Sequence, residues 1–477
     1  MKRRADMGVP QHAEMGVPQR SASGLPRRDF LLAAGAAAGA ALDGRWRTSI
    51  GGPAHSAADR MAWWREARFG MFVHFGLYSM LGGEWGGRTD YGEWIRSNAQ
   101  IPITEYDRLI ERFDPTRFDP DAMARMAAAA GMKYVVITTK HHDGFGLWPS
   151  AQTEWCIRNT PYRRDMMRAV ADACRAHGVR PCWYHSIMDW HHPDYLPRRE
   201  WEVGGRPATG ADFNRYVRFL HAQVEELLTQ YGEIGVMWFD GEWESTWSQE
   251  LGAALLEHVH RLAPDTLVNS RVAKQPANGL EAVLTRPRYG DFGTPEQKIP
   301  DRGVPGIDWE SCITMNGNWG FNRADTNFKS LPKLVEILVE TASKGGNLLL
   351  NIGPDGAGAV PAPSVERLQG LSEWMRLHGD AIHGTSASPF EGTPFRATRK
   401  GDRLYCFLPT WPTQRELVLP GVRTAPRGAY MIEDARRTPL PTRVVDAGLV
   451  VTLPPQASDP TCSVLAVQMP HNIPTSF

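Results

Sequence analysis

The middle of the chain alternates between two hydrophobic patterns. Short apolar runs rich in β-branched and aromatic residues are followed by longer runs rich in Ala and Leu. Continuous apolar runs are typical of strands covered on both faces, and their alternation with helices is typical of a parallel sheet. The predicted strands are Phe69–Phe75, Tyr134–Thr139, Val179–His185, Val236–Asp240, Thr266–Asn269, Leu348–Ile352 and, more weakly, Ile307–Glu310. The predicted helices are Asp121–Ala130, Arg164–His177, Asp212–Tyr231, Ser248–Arg261, Leu331–Ser343 and Ser364–Leu377.

This order of elements predicts an α/β fold over residues 58–385, a (β/α)8-like barrel of the TIM type that is irregular on one side. A doubly wound sheet is the alternative. The first strand continues Phe72-Val73-His74-Phe75-Gly76 and lacks the glycine-rich loop that cradles phosphates in dinucleotide-binding sheets. We therefore prefer the barrel.

The two ends of the chain have different patterns. Residues 386–477 contain short β-rich runs separated by Pro, Gly and Arg, which predicts a C-terminal antiparallel β-sandwich with a structural or sugar-binding role. Residues 1–57 are interpreted as a signal peptide and linker, because Arg27-Arg28 precede the short apolar run Ala33–Leu42. A Tat-type signal predicts an exported, periplasmic or extracellular protein, and the run is too short for a stable membrane anchor.

Composition narrows the function. The 53 basic and 53 acidic residues balance, so a nucleic-acid partner is not expected. The 17 Trp favour a carbohydrate site, because an indole can stack on the apolar face of a sugar. The six Cys form no CxxC pair and are expected to be small buried hydrophobes.

Polar residues follow nearly every predicted strand. The carboxyl ends of barrel strands form the catalytic face, and here they carry His74, Lys140 to Asp143, His185-Ser186, Asp240, Asn269 to Arg271, and Glu310. A metal site built from His141, His142, His191 and His192 is one alternative. It is disfavoured because no HExxH or His-x-His spacing occurs and because neighbouring strand residues point to opposite faces. We expect neither a metal nor a cofactor.

A pair of carboxylates is the better interpretation. Asp240 follows four apolar residues at a strand end, where an ionised carboxylate is costly unless something uses it. Glu310 lies at what is predicted to be another strand end. Glycoside hydrolysis requires such a pair, one carboxylate as nucleophile and one carboxyl group as acid/base.

These motifs together resemble glycoside hydrolase family 29, the α-L-fucosidases. The matching segments cover about residues 58–385 in order, and the most specific are Lys140-His141-His142-Asp143-Gly144-Phe145 and Trp238-Phe239-Asp240-Gly241. The resemblance implies an irregular barrel with a C-terminal β-sandwich. It also implies that Asp240 is the nucleophile and that Glu310, in Trp309-Glu310-Ser311-Cys312, is the acid/base, with Glu242, Glu244 and Glu296 in reserve. The residues implied to bind fucose are His74, Glu93, Trp94, His141, His142, Tyr184, Trp238, Arg271 and Trp319.

The implied activity is retaining hydrolysis of terminal α-L-fucose from glycans or glycoconjugates through a fucosyl-enzyme ester. We expect a raised pKa for Glu310 and an ionised Asp240 assisted by Arg271. Two alternatives stay open: another retaining glycosidase on the same barrel, such as one that accepts galactosides, and a non-catalytic carbohydrate-binding protein.

Overall fold

The computed structural model describes residues 60–274, 290–303, 306–474 and 476. Its centre is a curled parallel sheet of seven strands in the order β5-β4-β3-β2-β1-β7-β6. Nearly every residue of these strands is buried, as the continuously apolar runs require. The strands are β1 (Phe69–Val73), β2 (Tyr134–Lys140), β3 (Arg180–Ser186), β4 (Val236–Asp240), β5 (Leu267–Val268), β6 (Glu310–Thr314) and β7 (Asn347–Ile352).

The sheet closes through a segment that forms no regular strand. Parallel bridges join Asn269 to Phe292 on one side, and Gly293 to Trp309 and Glu296 to Cys312 on the other. Residues 292–296 therefore lie between the two edge strands, β5 and β6. The predicted barrel is confirmed, and its irregular side is this segment.

Helices surround the sheet, and several begin where the sequence supplies an N-cap. Asp or Ser side chains accept hydrogen bonds from the first-turn amides of the five longer helices that follow β1, β2, β3, β4 and β6 in the chain. The described helices are α1 (Ala62–Ala67), α2 (Tyr78–Leu81), α3 (Ile95–Asn98), α4 (Ile103–Tyr106), α5 (Pro120–Ala129), α6 (Met166–Ala176), α7 (Phe213–Thr229), α8 (Gln249–Leu262), α9 (Leu331–Ser343) and α10 (Ala362–His378). None of the helices in the described ranges is both long enough and apolar enough to cross a membrane.

The C-terminal part consists of two antiparallel sheets with the orders β11-β14-β9-β8 and β10-β13-β12. Leu417, Leu449 and Leu465 belong to the core between them. The larger sheet also packs on α10, where Trp374 Nε1 donates to the carbonyl of Cys462 at 3.1 Å. The strands are β8 (Arg396–Lys400), β9 (Arg403–Leu408), β10 (Glu416–Pro420), β11 (Gly428–Met431), β12 (Thr442–Val445), β13 (Gly448–Thr452) and β14 (Ser463–Gln468).

The main difference from the sequence prediction concerns β6. The predicted strand Ile307–Glu310 is wrong, because β6 runs over Glu310–Thr314 and Glu310 is its first residue. The strands β8 and β12 were not predicted, since β8 buries only Ala397 and Thr398, β12 is largely exposed, and neither has a continuous apolar pattern. All six Cys are buried and unpaired. The predicted signal peptide lies outside the described residues.

Candidate active site

Asp240 is the last residue of β4 and lies at the carboxyl face of the barrel. Tyr184 Oη donates to its Oδ2 at 2.8 Å, and Arg271 donates to its Oδ1 at 3.0 Å. Gly241 follows with φ +98°, where a Cβ would lie 2.7 Å from Met188, so a bulkier residue would displace the turn. Burial raises the pKa of Asp240 to about 6, while Arg271 and Tyr184 act against it. Arg271 and Tyr184 are therefore the groups that favour the ionised form of Asp240.

Three histidines surround this carboxylate. His74 follows β1, and His141 and His142 follow β2, whose last residue is Lys140. Because β2 has ended, both adjacent rings reach the same site, with centroids 4.1 Å apart. Burial lowers the pKa of each, to about 4 for His74 and well below the ordinary value for the other two. All three are neutral at pH 7.

Hydrogen bonds fix the tautomers of two of these rings. Asn351 Nδ2 donates to the Trp319 carbonyl, so its Oδ1, 2.7 Å from His74 Nδ1, must accept. Ser186 Oγ donates to the Met188 carbonyl and so accepts from His142 Nδ1 at 2.6 Å. In neutral rings both Nδ1 atoms then carry the proton. The two Nε2 atoms are acceptors, and that of His142 lies 3.5 Å from Asp240 Oδ2.

Glu93 and Trp94 reach the site from the loop before α3. Glu93 is buried and its Oε2 accepts from the Gly320 amide at 3.1 Å. Burial raises its pKa. The Trp94 ring lies 5.0 Å from that of His142. Both predicted residues thus lie with the histidines.

Aromatic rings form the inner wall of the site. Trp238, two residues before Asp240, stacks with Tyr184 at 5.7 Å. The Arg271 guanidinium lies 5.0 Å from the Trp238 ring. Trp319 lies 5.2 Å from His74, and Phe72 contacts both tryptophans. The predicted aromatic residues are therefore brought together, with Phe72 in addition.

Arg271 joins two carboxylates. It lies in the 3-10 turn after β5, and its second terminal nitrogen donates to Glu296 Oε2 at 2.9 Å. Glu296 lies in the segment that closes the barrel, and its side chain is 40% exposed. The part of Glu296 that is removed from water acts to raise its pKa, but the charge of Arg271 and its hydrogen bond outweigh this and lower the pKa. Asp240 and Glu296 thus share one guanidinium.

Glu310 lies elsewhere, so the expectation that it stands at a strand end beside Asp240 is wrong. It pairs in register with Asn347, the first residue of β7, at the amino-terminal end of the barrel. Its carboxyl group accepts from Tyr134 Oη and from Trp238 Nε1, the latter at 3.1 Å. Burial raises its pKa to about 7, which matches the expected direction but arises in the barrel interior.

The other two reserve acids differ from each other. Glu244 forms an ion pair with Arg199 at 2.8 Å, so it has a structural partner. The carboxyl group of Glu242 interacts electrostatically with Arg271 and Asp240, and burial raises its pKa to about 8. Its Oε2 is buried without a hydrogen-bond partner among the described residues. Within the described ranges, no group of three or more His, Cys, Asp or Glu side chains is arranged to hold a metal ion.

Comparison with known proteins agrees with this site. The sequence matches the family described as α-L-fucosidase over residues 52–380. The chain belongs to the α-L-fucosidase family of glycoside hydrolases. It is 30% identical to the tissue α-L-fucosidase of Mus musculus over 74% of this chain and 78% of the relative.

Solved fucosidases share the fold. α-L-fucosidase isoenzyme 1 from Paenibacillus thiaminolyticus superposes with a TM-score of 0.78 and 35% identity, over 87% of this chain and 99% of that one. A family 29 α-L-fucosidase from Bacteroides thetaiotaomicron superposes with a TM-score of 0.77 and 28% identity, over 88% and 98%. That structure is of a trapped covalent intermediate, formed with 2-fluoro-fucosyl fluoride in a Glu-to-Gln mutant. This fucosidase therefore has the predicted fold and enzyme class.

Proposed function

We propose that this α-L-fucosidase is a retaining exo-enzyme in which Asp240 is the nucleophile and Glu296 is the acid/base. The observation that carries the proposal is the pair of hydrogen bonds from Arg271 to Asp240 and to Glu296, at 3.0 and 2.9 Å. A shared guanidinium holds the two carboxyl groups close together, as double displacement requires. Glu310 lies instead at the amino-terminal end of the barrel.

The neutral histidines suit a polyol substrate. Fucose hydroxyls can donate to the Nε2 atoms of His74 and His142, whose Nδ1 protons are held by Asn351 and Ser186. A buried neutral ring holds a hydroxyl without adding a positive charge beside the anomeric carbon. Glu93 supplies a further acceptor, and His141 completes this polar wall.

The aromatic wall suits the apolar parts of fucose. Trp238, Trp319 and Phe72 offer ring faces within one cluster. A methyl group at C6 gains from apolar contact, whereas a galactoside would place a hydroxyl there and leave it without a partner. Trp94 adds a further ring face beside His142. This contrast favours fucosides over galactosides.

The reaction then proceeds by double displacement. Arg271 favours the carboxylate form of Glu296 in the free enzyme, so Glu296 takes up a proton before the first step. Asp240 Oδ attacks the anomeric carbon as the glycosidic C–O bond breaks, and Glu296 gives this proton to the departing oxygen. Water next attacks the fucosyl ester, gives a proton to Glu296 and releases Asp240 as a carboxylate. Arg271 and Tyr184 stabilise the negative charge on Asp240 at the start and at the end.

Glu242 is the second candidate for the acid/base, because burial raises its pKa to about 8 and its Oε2 has no hydrogen-bond partner among the described residues. Azide distinguishes the two residues. With 4-nitrophenyl α-L-fucoside, Glu296→Ala is expected to accumulate the fucosyl-enzyme, which azide opens to α-L-fucosyl azide. Glu242→Ala is the matched control. Azide product from the Glu242 variant alone would transfer the role to Glu242.

We also propose that the enzyme is exported through the Tat pathway to act on fucosylated oligosaccharides or glycoconjugates outside the cytoplasm. The support is the Arg27-Arg28 pair before a short apolar run. The double variant Arg27→Lys with Arg28→Lys should hold the fucosidase in the cytoplasm. Unchanged export of that variant would contradict the proposal.

A further inference from the structure

Trp243 is the one aromatic residue among the large apolar side chains that are exposed in the described chain. Its side chain is 44% exposed, whereas Trp190, Trp238 and Trp247 are buried. An indole left in water loses the favourable free energy of burial, and an exposed apolar surface beside a pocket often marks a contact site. Trp243 follows Asp240 by three residues, so this exposed ring is close to the nucleophile in the chain.

The ring is held in place from one side. It lies nearly parallel to Trp94, with centroids 6.4 Å apart and an interplanar angle of 21°, and edge-on to His142 at 6.0 Å. Trp94 in turn packs against Trp190 at 5.1 Å. Since His142 Nε2 lies 3.5 Å from Asp240 Oδ2, Trp243 stands directly outside the ring that borders the nucleophile.

A salt bridge supports this aromatic stack from behind. The guanidinium of Arg199 lies 5.6 Å from the Trp94 ring and 5.1 Å from the Trp190 ring. Glu244 binds Arg199 at 2.8 Å and belongs to the same loop as Trp243. Arg199 thus contacts the two rings, Trp94 and Trp190, of which Trp94 lies against Trp243. The packed inner side and open outer side suit an aromatic platform.

Two carboxyl groups link the Trp243 loop to the site, since Glu242, the chain neighbour of Trp243, interacts electrostatically with Asp240 and Glu296. The Glu296 side chain is 40% exposed. Glu242, the neighbour of Trp243, has a buried Oε2 without a partner among the described residues. An apolar platform beside a few polar groups is the usual composition of a carbohydrate site. Fucose itself is accounted for by the inner walls, so the platform is available to what is attached to it.

We propose that Trp243 stacks on the ring that leaves with the glycosidic oxygen, a pyranose or an aryl group. The inference rests on the proposed function, in which the leaving group faces Glu296. Trp243 then selects between substrates that share fucose and differ in the leaving group. A substrate whose leaving group has no ring gains no stacking interaction from Trp243.

The test compares three substrates in Trp243→Ala and Trp243→Phe: α-L-fucosyl fluoride, 4-nitrophenyl α-L-fucoside and a fucosyl-galactose disaccharide. In Trp243→Ala, kcat/KM for the two ring-bearing substrates should fall roughly tenfold more than kcat/KM for the fluoride. Trp243→Phe should recover most of this selective loss. The control Leu377→Ala removes an exposed apolar side chain from α10 and should keep the ratios of the unaltered enzyme.

An equal fall for all three substrates would overturn the proposal, because Trp243 would then shape the fucose site instead. Unchanged kcat/KM for all three substrates would overturn it as well. Loss of the proposed function is distinguishable, since the unaltered enzyme would then release fucose from none of the three substrates. Failure of the azide test at Glu296 would likewise leave the substrate ratios readable.

Discussion

The substitution Glu310→Gln tests whether Glu310 is a catalytic acid or a buried structural residue. The glutamine keeps the size of the side chain and one carbonyl oxygen for Trp238 Nε1, but it cannot ionise. In the structure, Glu310 is 1% exposed and is bonded by Tyr134 and Trp238 at the amino-terminal end of the barrel. Its removal should therefore change stability more than chemistry.

The magnitude follows from the pKa of Glu310, which burial raises from 4.5 to about 7. A carboxyl group with a raised folded-state pKa contributes stability below the unfolded pKa, and this contribution is lost as the pH rises through the folded pKa. At about 1.4 kcal/mol per pKa unit, the folded enzyme loses about 3 kcal/mol between pH 4.5 and 8. The glutamine side chain does not ionise, so the free energy of unfolding of the variant does not fall in this way. Relative to the unaltered enzyme, it should therefore improve by about 3 kcal/mol between pH 4.5 and 8.

Two measurements check this reasoning. Denaturant unfolding at pH 5 and pH 8 should show the variant gaining stability relative to the unaltered enzyme at the higher pH. Turnover of 4-nitrophenyl α-L-fucoside should stay within about tenfold. A loss of 10²- to 10⁴-fold, the usual contribution of a general acid, with fluoride hydrolysis spared would refute the relocation of the acid/base.

Further substitutions test other contacts. Tyr184→Phe removes the hydrogen bond to Asp240 Oδ2, so the pKa of Asp240 should rise above about 6 and the acid limb of kcat/KM should move to higher pH. An unchanged limb would contradict that contact. Glu202→Ala leaves the guanidinium of Arg96 buried without its carboxylate, which should cost about 3–5 kcal/mol of unfolding free energy. Unaltered stability in thermal or denaturant unfolding would show that water or another group replaces Glu202.

The predictable part of the fold was the part with an apolar pattern. Strand β4 and helix α9 have the predicted bounds, because the spacing of their apolar residues shows which strand or helix face is buried. The segment 292–296 has no such pattern. It contains Gly293 and Pro295 and is joined to its neighbours by isolated bridges, so it resembled a loop.

The presence or absence of an apolar pattern also explains which residues of the site could be predicted from the sequence. Asp240 could be predicted because its apolar strand ends visibly at the barrel face. Glu296 was named only as a reserve, since its position depends on barrel closure and on Arg271. Glu310 was misplaced because Ile307 and Trp309 before it suggested a strand that ends there, whereas β6 begins there. For a short strand without a continuous apolar run, the sequence shows which acid adjoins the strand but not at which end of the barrel it lies.

Asp240→Gly with azide determines whether Asp240 is the nucleophile. Without its carboxylate, the variant should be almost inactive on 4-nitrophenyl α-L-fucoside. Azide can enter the vacated space and attack the anomeric carbon from the side that Asp240 occupied. We therefore expect recovered nitrophenol release and β-L-fucosyl azide, identified by NMR. Full activity without azide, or a product of only the α configuration, would contradict the assignment of Asp240 as the nucleophile.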